Sequence, residues 1–175
     1  IENIGKSAQG RDIKLGIISS DQKSIDDYLS TTNPQALTKP AEMLAALKNG
    51  NLDYKLPVLI NNTHADEQPA IDIITGLFKT FATKDQVSFK TTAADGSEKL
   101  VTLKIQDLLK KFIFLFDFTE NPDGDVLNTR ALANGLDTNR DTGYQANPET
   151  STVAGLINKR KPIALYDIQG FVKAF

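Results

Sequence analysis

Phe112-Ile113-Phe114-Leu115-Phe116 is the most apolar segment of the chain, with Lys110-Lys111 before it and Asp117 after it. A run this short and unbroken predicts a central strand, buried on both faces. Pro57-Val58-Leu59-Ile60 is a second such run and ends in Asn61-Asn62-Thr63-His64. Pro162 to Ile168 reads as a third strand. Between the first two, Ile71, Ile74, Leu77, Phe78 and Phe81 recur at helical spacing. Strands that alternate with helices predict an α/β fold with a largely parallel sheet.

The remaining segments fit that frame. Ile13, Leu15 and Ile17 alternate after a turn at Gly10-Arg11-Asp12, which predicts a strand. Residues 21–55 read as helical pieces, one opened by Thr38-Lys39-Pro40 and closed by Asn49-Gly50. Val87 to Leu103 turns on Asp95-Gly96 and predicts a β-hairpin. Ile105 to Leu109 predicts a short amphipathic helix, and Ser151 to Lys159 another. Residues 117–150 are polar and rich in Asn, Asp, Gly and Thr, and read as a long functional loop. There is no internal repeat, linker or low-complexity segment.

Composition narrows the chemistry. The 175 residues are about one domain, and 40% hydrophobic content allows a core. A net charge of −2 argues against the basic patch of a nucleic-acid binder. No apolar run is long enough to span a bilayer, and Ile1-Glu2-Asn3-Ile4-Gly5 has no signal-peptide pattern. With no cysteine, disulfides and thiolate metal sites are excluded. His64 is the single histidine, so a three-histidine zinc site cannot form within this chain.

His64 and Glu67 stand three residues apart, just past the end of a buried strand. In open α/β sheets ligands bind at that edge, and imidazole and carboxylate are both zinc donors. The spacing alone is weak, and by itself favours a loop histidine and a first-turn glutamate that suits the helix dipole.

Three segments give the pair a context. Ile4-Gly5-Lys6-Ser7-Ala8-Gln9-Gly10-Arg11-Asp12-Ile13 comes first. Asn61-Asn62-Thr63-His64-Ala65-Asp66-Glu67-Gln68-Pro69 is the second. Asn121-Pro122-Asp123-Gly124, Thr129-Arg130 and Asn134-Gly135-Leu136-Asp137-Thr138-Asn139-Arg140-Asp141 follow. In order and wording these segments resemble the carboxypeptidase A-like zinc metallocarboxypeptidase family. The resemblance runs over residues 1–175, apart from insertions near 24–52 and 87–103. It implies a mixed, largely parallel sheet with helices on both faces, and makes this chain the N-terminal part of a single catalytic domain. By the same resemblance, His64 and Glu67 match the first two zinc ligands. Asp137 matches the carboxylate that orients the histidine. Asn139 and Arg140 match the pair that grips a substrate's terminal carboxylate, for which a guanidinium fork is suited. Arg130 matches the arginine that polarises the scissile carbonyl. Asp123 reads as a turn former, and Phe112, Phe114 and Phe116 as core.

Two departures qualify the activity. Gln169, in Tyr166-Asp167-Ile168-Gln169-Gly170, stands where the family has its third zinc ligand, a histidine. An amide oxygen is a poor zinc ligand, so weak zinc binding is expected. The family's glutamate base and mobile tyrosine have no match before Phe175, so the chain is expected to be a truncated domain, inactive by itself. The implied substrate is the C-terminus of a peptide or of a peptidoglycan stem, and the implied place is extracellular. The alternative is a pseudoenzyme that binds peptide C-termini without a competent zinc site.

Overall fold

The computed structural model describes residues 1–51, 55–141, 144–160 and 164–167. Gln169, the expected third zinc ligand, lies outside them. The chain divides into two compact units, one of residues 1–17, 56–76 and 114–175, the other of residues 18–55 and 77–113.

In chain order, β1 (Glu2–Lys6) and β2 (Asp12–Ile18) form an antiparallel pair. Their turn closes through Gly10, whose φ of 82° favours glycine and whose N–H donates to the Ser7 carbonyl at 2.9 Å. Ile13 and Leu15 of β2 are fully buried. β1 has no counterpart in the sequence reading. Apart from Ile4 and Gly5, which are half-buried, its residues are polar and exposed, and it is recruited by backbone pairing rather than by an apolar pattern. Gly5 within it is required for space, since a Cβ there would collide with the Thr152 side chain.

The segment that follows β2 is helical in pieces, as expected. α1 (Gln22–Asp27) is capped by Asp21, which accepts from the Ser24 N–H at 2.7 Å. A π turn (Tyr28–Thr32) leads into α2 (Asn33–Thr38) and α3 (Pro40–Lys48). Prolines in the first turn of both helices cost no hydrogen bond there. β3 (Leu56–Asn61) carries the apolar run, with Leu59 fully buried. α4 (Gln68–Thr83) shows the predicted periodicity and buries Ala70 and Ile74. β4 (Gln86–Thr92) and β5 (Glu98–Lys104) form the expected hairpin in unbroken antiparallel register. α5 (Ile105–Leu109) leads into β6 (Phe112–Asp117), where Ile113, Leu115 and Phe116 are buried.

The loop predicted over residues 117–150 is not structureless. It contains α6 (Pro122–Leu127) and α7 (Thr138–Asp141), and α8 (Pro148–Arg160) starts within it. The first two are too short to carry a periodic signal, and polar caps hold them instead. β7 (Ala164–Asp167) is the last described strand.

The main sheet has the order β1-β2-β6-β3-β7. The two most apolar runs, β6 and β3, are neighbours in its interior. β3 pairs with β7 in parallel, whereas β1 with β2 and β4 with β5 are antiparallel. The fold is therefore mixed α/β, and its antiparallel part is larger than strand–helix alternation suggests. The arrangement sets the ends of β6, β3 and β7 side by side, and residues 61–67 leave from that edge. Among the described residues no helix is long and apolar enough to cross a membrane.

Candidate metal and carboxylate-binding site

His64 follows β3 by three residues and is fully buried. The Glu67 N–H donates back to the His64 carbonyl at 3.2 Å, and the Ala70 N–H to the Glu67 carbonyl at 2.8 Å. This turn brings residues 64 and 67 onto one side before α4 begins. His64 Nδ1 lies 3.7 Å from Glu67 Oε1.

The far side of the ring is fixed by Asp137. His64 Nε2 is 2.9 Å from Asp137 Oδ1. An ionised carboxylate only accepts, so Nε2 carries the proton and Nδ1 keeps its lone pair. That lone-pair nitrogen lies 3.7 Å from a carboxylate oxygen, a separation that leaves room for an electron-poor atom between them. Nδ1 of His64 and Oε2 of Glu67 are both buried with no hydrogen-bond partner. Buried polar atoms without partners are uncommon and need a cause.

Asp137 is a hub. Its Oδ1 also accepts from the Asn139 N–H, and its Oδ2 from Arg130 Nε, each at 2.9 Å. Burial opposes ionisation of Asp137, but the hydrogen bonds from Arg130 and His64 outweigh it and hold the carboxyl down at about 2. The Asp137 hydrogen bond and charge in turn raise the Arg130 guanidinium above its ordinary value. Arg130 Nη1 also stands 3.7 Å from Glu67 Oε1. His64, Asp137, Arg130 and Glu67 thus close a ring of polar contacts.

Short polar links hold the ring in place. The Thr138 hydroxyl donates to the Thr63 carbonyl at 3.2 Å, which ties α7 to the residue before His64. Asn121 caps α6 through the Gly124 N–H at 2.9 Å, and its Nδ2 donates to the carbonyls of Arg130 and Ala131 at 3.3 and 3.1 Å. Gly124 is obligatory here because a Cβ would strike the Asn121 amide and the Thr129 carbonyl. Asn139 and Arg140 are exposed on α7, and Arg140 Nη1 reaches only the neighbouring Asn139 carbonyl, at 3.2 Å.

The structure therefore brings together His64, Glu67, Asp137 and Arg130, and places Asn139 and Arg140 beside them in sequence on α7. Asp123 is more than a turn former. It sits in the first turn of α6, fully buried, and accepts from Ser7 Oγ at 2.6 Å, Arg11 Nη1 at 2.7 Å and the Gln9 N–H at 3.0 Å. Burial opposes its ionisation, but Ser7 and Arg11 hold the carboxyl below its usual range. Asp141 is a second structural carboxylate that the sequence reading passed over. It takes hydrogen bonds from Thr150, from the N–H groups of Ala146 and Asn147, and from the Asn147 side chain. These bonds, Thr150 first, hold Asp141 at about 2. The only advance signal for either role was an aspartate next to a helix boundary.

The donors fit two positions of a zinc shell: a buried imidazole with its lone pair exposed and its tautomer fixed, and a carboxylate facing it. Among the described residues no three His, Cys, Asp or Glu side chains gather to hold a metal.

No protein-family model matches the chain, and no curated protein matches it. Its structure is similar to the crystal structure of a "putative carboxypeptidase A" from Shewanella denitrificans, with a TM-score of 0.62 and 20% identity. The match covers 95% of this chain and 33% of that one, so this chain spans about a third of that protein's length. At this identity the likeness is one of fold: a mixed α/β architecture resembling that of a carboxypeptidase.

Proposed function

We propose that the ring at His64 is the zinc end of a metallocarboxypeptidase site, which removes the C-terminal residue of a peptide or peptidoglycan stem. The observation that carries this reading is the pair of unpartnered, buried donor atoms, His64 Nδ1 and Glu67 Oε2, on side chains 3.7 Å apart with the imidazole tautomer already fixed by Asp137.

In this reading His64 and Glu67 hold the metal, and Gln169 is a weak third donor. Bound zinc supplies an acidified water and a polarised carbonyl. The chain's own residues do the rest of what is assigned here. Asp137 keeps the imidazole proton on Nε2 and so keeps Nδ1 a donor. Asn139 and Arg140 take the substrate's terminal carboxylate, with the guanidinium giving two parallel hydrogen bonds. Arg130 turns from Asp137 and Glu67 to the scissile carbonyl, where its charge favours the developing oxyanion. The same reading places the protein outside the cell.

A second reading has one observation of its own. Arg130 already lies against both carboxylates of the ring, so part of their charge is offset without a metal. In that case the site binds peptide C-termini and does not cut them.

The test compares binding of a short peptide with a free C-terminus and its amide. The free acid is expected to bind at least about tenfold more tightly, a difference of roughly 1.4 kcal/mol, and Arg140→Ala is expected to remove the preference. Equal binding of acid and amide would rule out both readings. Release of the terminal residue in the presence of zinc, seen by mass spectrometry, separates the first reading from the second.

A further inference from the structure

Asp117 is the last residue of β6 and is fully buried, with neither carboxylate oxygen hydrogen-bonded. At the end of the neighbouring strand β3 stand Asn61 and Asn62, both buried. Asn61 Oδ1 and both polar side-chain atoms of Asn62 also lack partners. β7 brings Asp167 into register with Asn61. From β2 and the turn before it, Arg11, Asp12 and Lys14 line a surface cleft with Phe118 and Thr119. There Arg11 pairs with Asp123, and Asp12 with Lys6. The charge that acts on Asp117 is that of Glu120, and it has the same sign. An ionised carboxylate at position 117 therefore has neither a donor nor a compensating charge. Binding a proton costs far less there than burying that charge.

We propose that Asp117 is a proton-held latch, which keeps the connection from β6 to α6 closed while it carries its proton and releases it when the proton is lost to solvent. The closing bond runs from the Glu120 N–H to the Asn62 carbonyl, at 2.9 Å. β6 lies inside the sheet between β2 and β3, so pairing holds its backbone on both sides. The connection is the part that can lift, and water reaches an ionised Asp117 with least disruption by parting it. Asn121 follows at once, and its Nδ2 holds the carbonyls of Arg130 and Ala131. Opening the latch thus frees the turn that carries Arg130, whatever the His64 site binds. Burial, reinforced by Glu120, pushes the Asp117 carboxyl well above its ordinary value of 3.8. A value raised by folding gives stability that is complete below 3.8 and is lost as pH rises through the raised value, so the latch is closed on the acid side.

Hydrogen exchange of the Glu120 amide, followed by NMR with rising pH in the wild type and in Asp117→Asn, tests the latch. Asparagine resembles the protonated acid in size and shape, and the variant is expected to keep the bond closed throughout. The wild type should lose protection at Glu120 by at least about tenfold beyond the intrinsic rise of exchange with pH. Its folding constant should also fall relative to the variant's, by up to about tenfold per pH unit. A carbon NMR titration of the Asp117 carboxyl reads the proton directly in the wild type. The proposal is overturned if that carboxyl is already ionised at about pH 5, or if Glu120 is equally protected in both proteins. It is also overturned if the wild type loses stability while the Glu120 amide stays protected, which leaves a buried proton and no latch.

Discussion

Asp141 and Asp137 lie four residues apart on the same polar segment, and each anchors a hydrogen-bond network. Around Asp141 every contact is complete: hydroxyl, amide and backbone donors converge on its two oxygens. Around Asp137 the network runs outward to His64 and Arg130 and stops at two buried atoms with nothing to bind. A complete network holds the chain in one shape and offers nothing to a ligand. An incomplete one costs stability, and that cost is recovered when a ligand fills it. Asp123 belongs with Asp141.

The contrast fails most visibly if a satisfied carboxylate can be removed cheaply. Asp123→Ala strands Ser7, Gln9 and Arg11, and should lower the unfolding free energy by roughly 3 kcal/mol in urea titration while leaving the zinc response unchanged. Acid should act next. Asp137 and Asp141 both titrate at about 2 in the folded chain against an ordinary value of 3.8. Their pKa values are depressed by folding. Their contribution is therefore complete above about 3.8 and disappears as pH falls towards 2. Circular dichroism across that window should show stability falling with pH, with a shallower fall in Asp141→Asn.

The incomplete network should behave in the opposite way. Glu67→Gln replaces one of two facing acceptors, and should change stability by less than about 1 kcal/mol. It should nevertheless abolish the zinc response, read with a chromophoric chelator. The smallest effect belongs to the exposed hairpin pair Lys90–Glu98. Lys90→Ala should stay within about 0.5 kcal/mol by thermal unfolding, and less at high salt.

The apolar skeleton was legible in the sequence. β3, β6 and α4 carry enough apolar residues at strand or helix spacing to declare themselves, and Asp95-Gly96 marks the hairpin turn. β1, α6 and α7 were not legible. They bury little apolar surface and depend on pairing, on the Asn121 cap and on long-range links such as Thr138 to Thr63. The site shows the same division. The resemblance put His64, Glu67, Asp137 and Arg130 together, and the structure brings them together. The local use of Asp123 depends on partners more than a hundred residues away, Ser7 to Asp123 being one such pair, and short-range pattern carries no trace of it.

Zinc affinity measured side by side for the wild type, Gln169→His and His64→Ala tests the central claim most directly. The account predicts weak binding by the wild type, a gain of at least about tenfold in Gln169→His, and loss in His64→Ala. Tight zinc binding that survives His64→Ala, or no gain from the histidine at position 169, would contradict it.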